Sequence, residues 1–176
     1  RNKLKELKKK NFKTTIIPRF DKSIDDRLPK RFWLKVKSRP DIIIFEGWCV
    51  GSKHSSKKDL LKPINKLEKK FDKNLKWRKR VNFELKKTYR KIFSGIDLLI
   101  FLKIPNFNYV FKWRKLQEKK LKLKAKGKKI MSIEQIKNFI MFYERITKKM
   151  AKDMTRYAKI VLFLDSKHRL NKIKFN

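Results

Sequence analysis

One cysteine, Cys49, stands among 176 residues, which excludes a disulfide framework and a cysteine-built zinc site. The two histidines, His54 and His168, have no partners at metal-ligand spacing. Glycine is scarce, with four in the chain, and no G-x-x-x-x-G-K-[ST] phosphate loop is present. The nearest approach, Gly47-Trp-Cys-Val-Gly51-Ser52-Lys53, has the wrong spacing and sets Trp48 where backbone amides would have to curl round phosphate. No apolar run approaches the roughly 20 residues of a membrane span, and no stretch has the form of a signal peptide. A reducing, cytosolic compartment is the expectation.

Acidic residues are also few: 16 against 53 basic ones, a formal net charge of +37. Such a balance suggests nucleic acid or another anionic surface as a partner. It has a blander reading. Of the basic residues 41 are lysine and 12 arginine, and alanine occurs three times, at Ala125, Ala151 and Ala158. Lys, Asn, Ile and Phe belong to A/T-rich codons, whereas phosphate and base readers favour the bidentate fork of Arg. Codon usage is therefore read as the main origin of the charge. With 40% hydrophobic residues and 14 phenylalanines the chain can build a core, and its length fits one domain, residues 1–176.

Four apolar runs read as buried strands: Thr14–Ile17, Ile42–Phe45, Leu98–Leu102 and Ile160–Leu164. They lack polar alternation, as strands of a parallel sheet covered on both faces do. Helical periodicity lies between them. Trp77 to Phe93 sets Val81, Leu85, Tyr89 and Ile92 on one stripe, and Ser132 to Met154 opens with the capping pair Ser132 and Gln135. A third helix is expected from Asn106 to about Lys124, ending near Gly127. The Lys-rich stretches 52–72 and 115–129 read as loops or solvated helix faces. Strands alternating with helices predict an α/β fold with a mainly parallel sheet, whose ligands gather at the carboxyl ends of the strands.

The segments just beyond the strands are charged. Glu46 ends the second run, and Gly47 and Gly51 would let the backbone turn sharply or pass close to a ligand. An acid there serves either Mg²⁺ or its water shell, or caps the next segment. Asp21, Asp25, Asp26 and Arg27 crowd seven positions; Asp21 could meet a substrate hydroxyl and Arg27 a carboxylate or phosphate, or the cluster is a capped surface turn. Arg114, after Trp113, could close over a transferring phosphate, or be one more solvated cation. Cys49 reads as a small buried hydrophobe, and Trp33, Trp48 and Trp77 as core or pocket wall.

These blocks resemble the P-loop kinases of the D-glycerate 3-kinase type, related to uridine kinase and pantothenate kinase. The resemblance runs through IPRFDKSIDDRLP (17–29), DIIIFEGWCVG (41–51), PINKLE (63–68), WRKRVN (77–82), PNFNYVFKWR (105–114), MSIEQIKNFIMFYERIT (131–147) and IVLFLDSKHR (160–169), in order and over nearly the whole chain. It implies a three-layer P-loop kinase-like fold that uses ATP and Mg²⁺ to phosphorylate a hydroxyl of a small hydroxy acid, glycerate foremost. By that similarity Glu46 is the acid near Mg²⁺, through water, Arg114 belongs to the lid over the phosphates, and Gly47 lies beside the nucleotide. Arg19, Asp21, Asp25, Asp26, Arg27 and Trp48 contribute to the acceptor pocket, with Glu46, Asp21 and Arg114 closest to the reaction.

Family members open with a strand and a Walker A loop. This chain opens at Arg1, in what reads as the helix before the IPRFD strand, and is expected to be a fragment without its phosphate loop and inactive as it stands. The competing reading from another class is a basic nucleic-acid-binding protein, against which the acidic 21–27 cluster and the EGW turn both count. Other acceptors, a nucleoside or a pantothenate-like acid, stay open.

Overall fold

The structure, a computed structural model, describes residues 2–21, 24, 26–124 and 130–176. Within them the chain divides into two compact units, Arg1–Glu46 and Gly47–Asn176.

In the first unit, helix α1 (Asn2–Leu7) buries Leu7. Lys3 Nζ donates to Glu6 Oε2 at 2.8 Å and to Thr15 Oγ1 at 3.0 Å, and Thr15 Oγ1 donates to Glu6 Oε2, which ties the helix to the next strand. That strand, β1 (Thr15–Ile17), pairs antiparallel with β4 (Leu34–Val36). Between them β2 (Phe20–Asp21) and β3 (Asp26–Arg27) form a two-residue ladder with Phe20 opposite Arg27 and Asp21 opposite Asp26. A 3₁₀ turn spans Lys30–Phe32, and Trp33 Nε1 donates to the Leu28 carbonyl at 2.6 Å. Trp33 is half-buried, in keeping with a packing role.

The expected strand Ile42–Phe45 is not one here. It carries no strand pairing among the described residues, and Ile42 and Ile44 stand 79% and 84% exposed. Its composition is that of a strand covered on both faces, yet of these four residues only Ile43 is half-buried.

The second unit holds the three-stranded sheet and the longer helices. Strand β5 (Ile100–Lys103) runs parallel to β6 (Ile160–Leu164) with Ile100 opposite Ile160, and β7 (Leu170–Phe175) adds an antiparallel edge. The sheet is therefore mixed, and its parallel pair is formed by the two runs read as such from the sequence. The crossover between them is α6 (Asn108–Lys124) and α7 (Ile133–Tyr157). The Ser132–Gln135 capping box is present: Ser132 Oγ accepts from the Gln135 amide at 3.2 Å and Gln135 Oε1 from the Ser132 amide at 2.8 Å. The expected end near Gly127 lies outside the described residues. The core of the unit is built by Leu85, Phe101, Ile146, Met150, Met154, Ala158 and Val161, with Cys49, Leu99, Tyr157 and Phe163 packed against it.

The Lys-rich stretch 52–72, read as loops or solvated helix faces, takes the helical alternative and keeps its lysines exposed. It forms α2 (Lys57–Leu61) and α3 (Lys66–Phe71) and buries Leu60, Glu68 and Asp72. The helix expected over 77–93 is present as α4 (Lys76–Glu84), a π-helical turn Leu85–Tyr89 and α5 (Arg90–Phe93), but its inward line differs. Val81 and Tyr89 are 40% and 39% exposed, while Arg78 and Leu85 are buried, because Arg78 is drawn inward by Asp72. Trp77, read as core or pocket wall, is 69% exposed for the same reason.

Candidate functional site

The site is built around a turn that only glycine can close. Gly51 has φ +78°, and a Cβ on it would stand 2.7 Å from Leu99 Cδ1. The Gly51 carbonyl accepts the Tyr157 hydroxyl at 2.9 Å, and burial first, then Asp153, pushes the phenol up to about 12. Cys49 in this turn is half-buried, and burial raises its thiol, so it packs as a hydrophobe rather than presenting a thiolate. The turn thereby fixes Trp48 against α7. Its indole Nε1 donates to Thr147 Oγ1 at 2.9 Å, and its ring meets Tyr143 edge-on at 4.8 Å. Tyr143 in turn packs on Phe139 at 4.9 Å, and the Arg114 guanidinium lies 5.1 Å from the Phe139 ring centre.

These side chains wall a cavity of about 430 Å³ at the carboxyl end of β5, where a parallel pair offers ligand room. Phe101 and Leu102 come from β5, with Ile104 just beyond it. Helix α6 gives Val110 and Arg114, and α7 gives Phe139, Tyr143, Thr147 and Ala151 at four-residue steps along one face. The walls are apolar apart from Arg114 and the hydroxyls.

Arg114 is held before any ligand arrives. Its Nη2 lies 2.6 Å from Glu118 Oε1 and its Nη1 donates to Gln117 Oε1 at 2.7 Å, whereas its Nε is buried with no hydrogen-bond partner among the described residues. Glu118 is itself buried, and its other oxygen accepts the Met131 amide at 3.0 Å, so one carboxylate links α6 to the entry of α7. Sequence reasoning passed over Glu118; its four-residue step from Arg114 was the signal available.

Of the residues singled out from the sequence, the structure brings Trp48 and Arg114 into one pocket. Gly47 opens the turn that carries Trp48, its carbonyl accepting the Val50 amide at 3.5 Å. Glu46, the last residue of the first unit, is exposed and makes no hydrogen bond or ion pair with a described residue. Arg19, Asp21, Asp26 and Arg27 lie on the β2–β3 ladder or beside it: the Arg19 carbonyl accepts the Leu28 amide at 2.8 Å, and Asp26 Oδ1 accepts the Arg27 amide at 2.6 Å. Asp25 lies outside the described residues. The DSKHR turn after β6 spends its acid internally. Asp165 Oδ1 accepts the amides of Lys167 and Arg169 at 2.8 and 2.9 Å, and the Arg169 amide above all holds the carboxyl below the usual range. His168, at φ 64°, stacks on Trp113 at 3.8 Å and fastens α6 to that turn.

A polar assembly around Arg145 escaped the sequence. Arg145 of α7 donates through Nε to Glu68 Oε1 at 2.7 Å and through Nη2 to Glu68 Oε2 at 2.6 Å, and also reaches the Asp59 and Lys62 carbonyls. Asn65 bridges the Met141 carbonyl and Glu144. The 57–71 segment is thus clamped to the opposite side of the helix that lines the pocket.

No family model matches the chain. Among curated proteins it is 34% identical over 133 residues to "Uncharacterized kinase mug58" of Schizosaccharomyces pombe, which covers 72% of this chain and 46% of that protein. It is 29% identical over 145 residues to the chloroplastic D-glycerate 3-kinase of Arabidopsis thaliana, 80% of this chain and 28% of that protein. The chain thus spans less than half the length of these relatives. Among solved structures, a D-glycerate 3-kinase from Cryptococcus neoformans superposes with a TM-score of 0.76 at 23% identity, over 99% of this chain and 64% of that one. The YGR205w protein does so with a TM-score of 0.69 at 27% identity, over 93% and 59%. The fold is therefore the α/β kinase-like one, and in sequence and fold the chain is similar to kinases of the D-glycerate 3-kinase type.

Proposed function

We propose that the protein carrying this chain is a small-molecule kinase that transfers a phosphoryl group from ATP to a hydroxyl of a small hydroxy acid, with D-glycerate the first acceptor to test and both units serving one kinase domain. The observation that supports this best is the joint placement of Trp48 and Arg114 in one pocket. The resemblance gives one of these residues to the acceptor and the other to the phosphates. The relatives named D-glycerate 3-kinase supply the acceptor.

The residues present fit a magnesium ion as a partner rather than as a cage. No group of three His, Cys, Asp or Glu side chains suited to a metal occurs among the described residues. Mg²⁺ keeps most of its waters and takes one or two carboxylates beside substrate phosphates, so an exposed Glu46 suits it through water. The triphosphate does not fit what is here. The 176 residues contain no G-x-x-x-x-G-K-[ST], and the Gly47–Gly51 turn is packed on Leu99 and α7 instead of standing open. Turnover is expected only where a phosphate loop is supplied by sequence other than these 176 residues.

Within that reading this chain's side chains bind and position. Asp21 would hydrogen-bond the acceptor hydroxyl, Arg19 and Arg27 would pair with its carboxylate, and the resemblance assigns Asp25 and Asp26 to the same acceptor group. Arg114 would answer charge gathering on the transferred group, which requires it to share or leave Glu118. Incubating the protein with ATP, Mg²⁺ and D-glycerate and following ADP release tests the proposal; ADP release that does not depend on any hydroxy acid would refute it.

A further inference from the structure

Whatever the codon origin of the lysines, on one helix they are placed as well as numerous. From Lys76 to Phe93 the buried line is Arg78, Leu85 and the half-buried Asn82 and Ile92. Opposite it, at steps of four and three, run Lys76, Arg80, Phe83, Lys87 and Arg90, flanked by Lys79, Lys86 and Lys91. All seven of these basic side chains are exposed, and Glu84, the single acid of the segment, is taken up by Arg80 at 2.8 Å and by the Thr88 hydroxyl at 2.6 Å. The other six have no acidic partner among the described residues. Neighbours at these steps stand about 5–6 Å apart, and the stripe is about 21 Å long.

The face carries aromatic rings as well as charge. Here Phe83 is 52% exposed within the stripe, and Trp77 is 69% exposed beside its first lysine. Phosphate-spaced cations with exposed rings among them are what a flexible single strand uses, its backbone on the charges and its bases stacked on the rings. A lipid surface would ask for an apolar face apart from the basic one, whereas Phe83 sits inside it. We infer that the Lys76–Phe93 helix face binds single-stranded nucleic acid. This does not depend on the kinase reading.

Fluorescence anisotropy of a labelled strand of about 20 nucleotides with the 176-residue chain, over a salt series, tests it. Six engaged cations give a slope of log K against log salt of about −4. The variant Lys79→Gln/Lys87→Gln/Arg90→Gln should weaken binding at least about tenfold near physiological salt and flatten the slope by about 2. The control Lys115→Gln/Lys119→Gln/Lys122→Gln removes the same charge from the exposed face of α6 and should change binding less than about threefold. Phe83→Ser should weaken binding by about tenfold with the slope kept. All these side chains are exposed, and unchanged thermal melting confirms that each variant folds. Equal losses from both triple variants, an unchanged slope, or binding to phosphatidylserine vesicles but not to the strand would overturn the assignment.

Discussion

Arg78 Nε donates to Asp72 Oδ2 at 2.8 Å, with the two side chains 5% and 6% exposed. The same guanidinium donates to the Leu60 carbonyl at 2.8 Å, and Asp72 accepts the amides of Trp77 and Arg78 at the start of α4. One buried pair thus joins α2, the α3–α4 turn and α4. Removing one partner strands the other in a place that water does not reach. Arg78→Met should cost about 3–5 kcal/mol of unfolding free energy, read by urea denaturation. A loss below about 1 kcal/mol would show the pair to be incidental.

The acids of this region should set the acid limit of stability. Burial works against the charged form of Glu68, yet the Arg145 hydrogen bond first, and then the Ile64 amide, carry its pKa below the ordinary 4.5. Burial likewise opposes Asp72, and Arg78 with the Trp77 amide brings it below 3.8. A folded pKa below the unfolded one stabilises above the unfolded value, and that contribution is lost as pH falls through the folded value. The urea midpoint should therefore be level down to about pH 5 and fall below about pH 4.5. Glu68→Gln should lower the midpoint at neutral pH and reduce the acid dependence.

At alkaline pH the sign reverses. Tyr157 is pushed up to about 12 from 10.0, so its neutral form is favoured by folding, and its contribution is complete below pH 10 and lost as pH rises toward 12. An ultraviolet absorbance titration should show one tyrosine ionising near pH 12 that is absent from Tyr157→Phe. Its absence from the parent chain would mean that the Tyr157 hydroxyl is not buried beside Asp153.

Gly51→Ala asks for both a left-handed backbone and space that Leu99 occupies. A loss of about 1–3 kcal/mol is expected. Gly51→Ala together with Leu99→Ala should recover the steric part and leave the backbone part. No recovery at all would place the whole effect in the backbone.

Strand runs and the long helix were legible because burial writes a local pattern. Ile160–Leu164 matches its run residue for residue, and Ser132 with Gln135 forms the box that their spacing announces. Ile42–Phe45 shows the limit of that pattern, since composition records that a strand wants covering and not what covers it. The clamps were invisible for another reason. Glu68 and Arg145 lie 77 residues apart and look like two charges among many. What buries them is the packing of the 57–71 segment on α7, which local periodicity does not carry. In the pocket, the resemblance picked out Trp48 and Arg114, but Glu118, Tyr143 and Thr147, which hold them, were found through the structure.

Phosphoryl transfer to a hydroxy acid is read out as D-glycerate-dependent ADP release by the protein carrying this chain, measured in parallel with Glu46→Gln and Arg114→Ala. Activity with D-glycerate is expected, with a fall in kcat of about a hundredfold or more in Arg114→Ala, as when one preorganised donor to a charged transition state is lost. Glu46→Gln should raise the Mg²⁺ requirement. Activity undiminished in both variants would contradict the site, and no phosphorylation of glycerate or any other hydroxy acid would contradict the function.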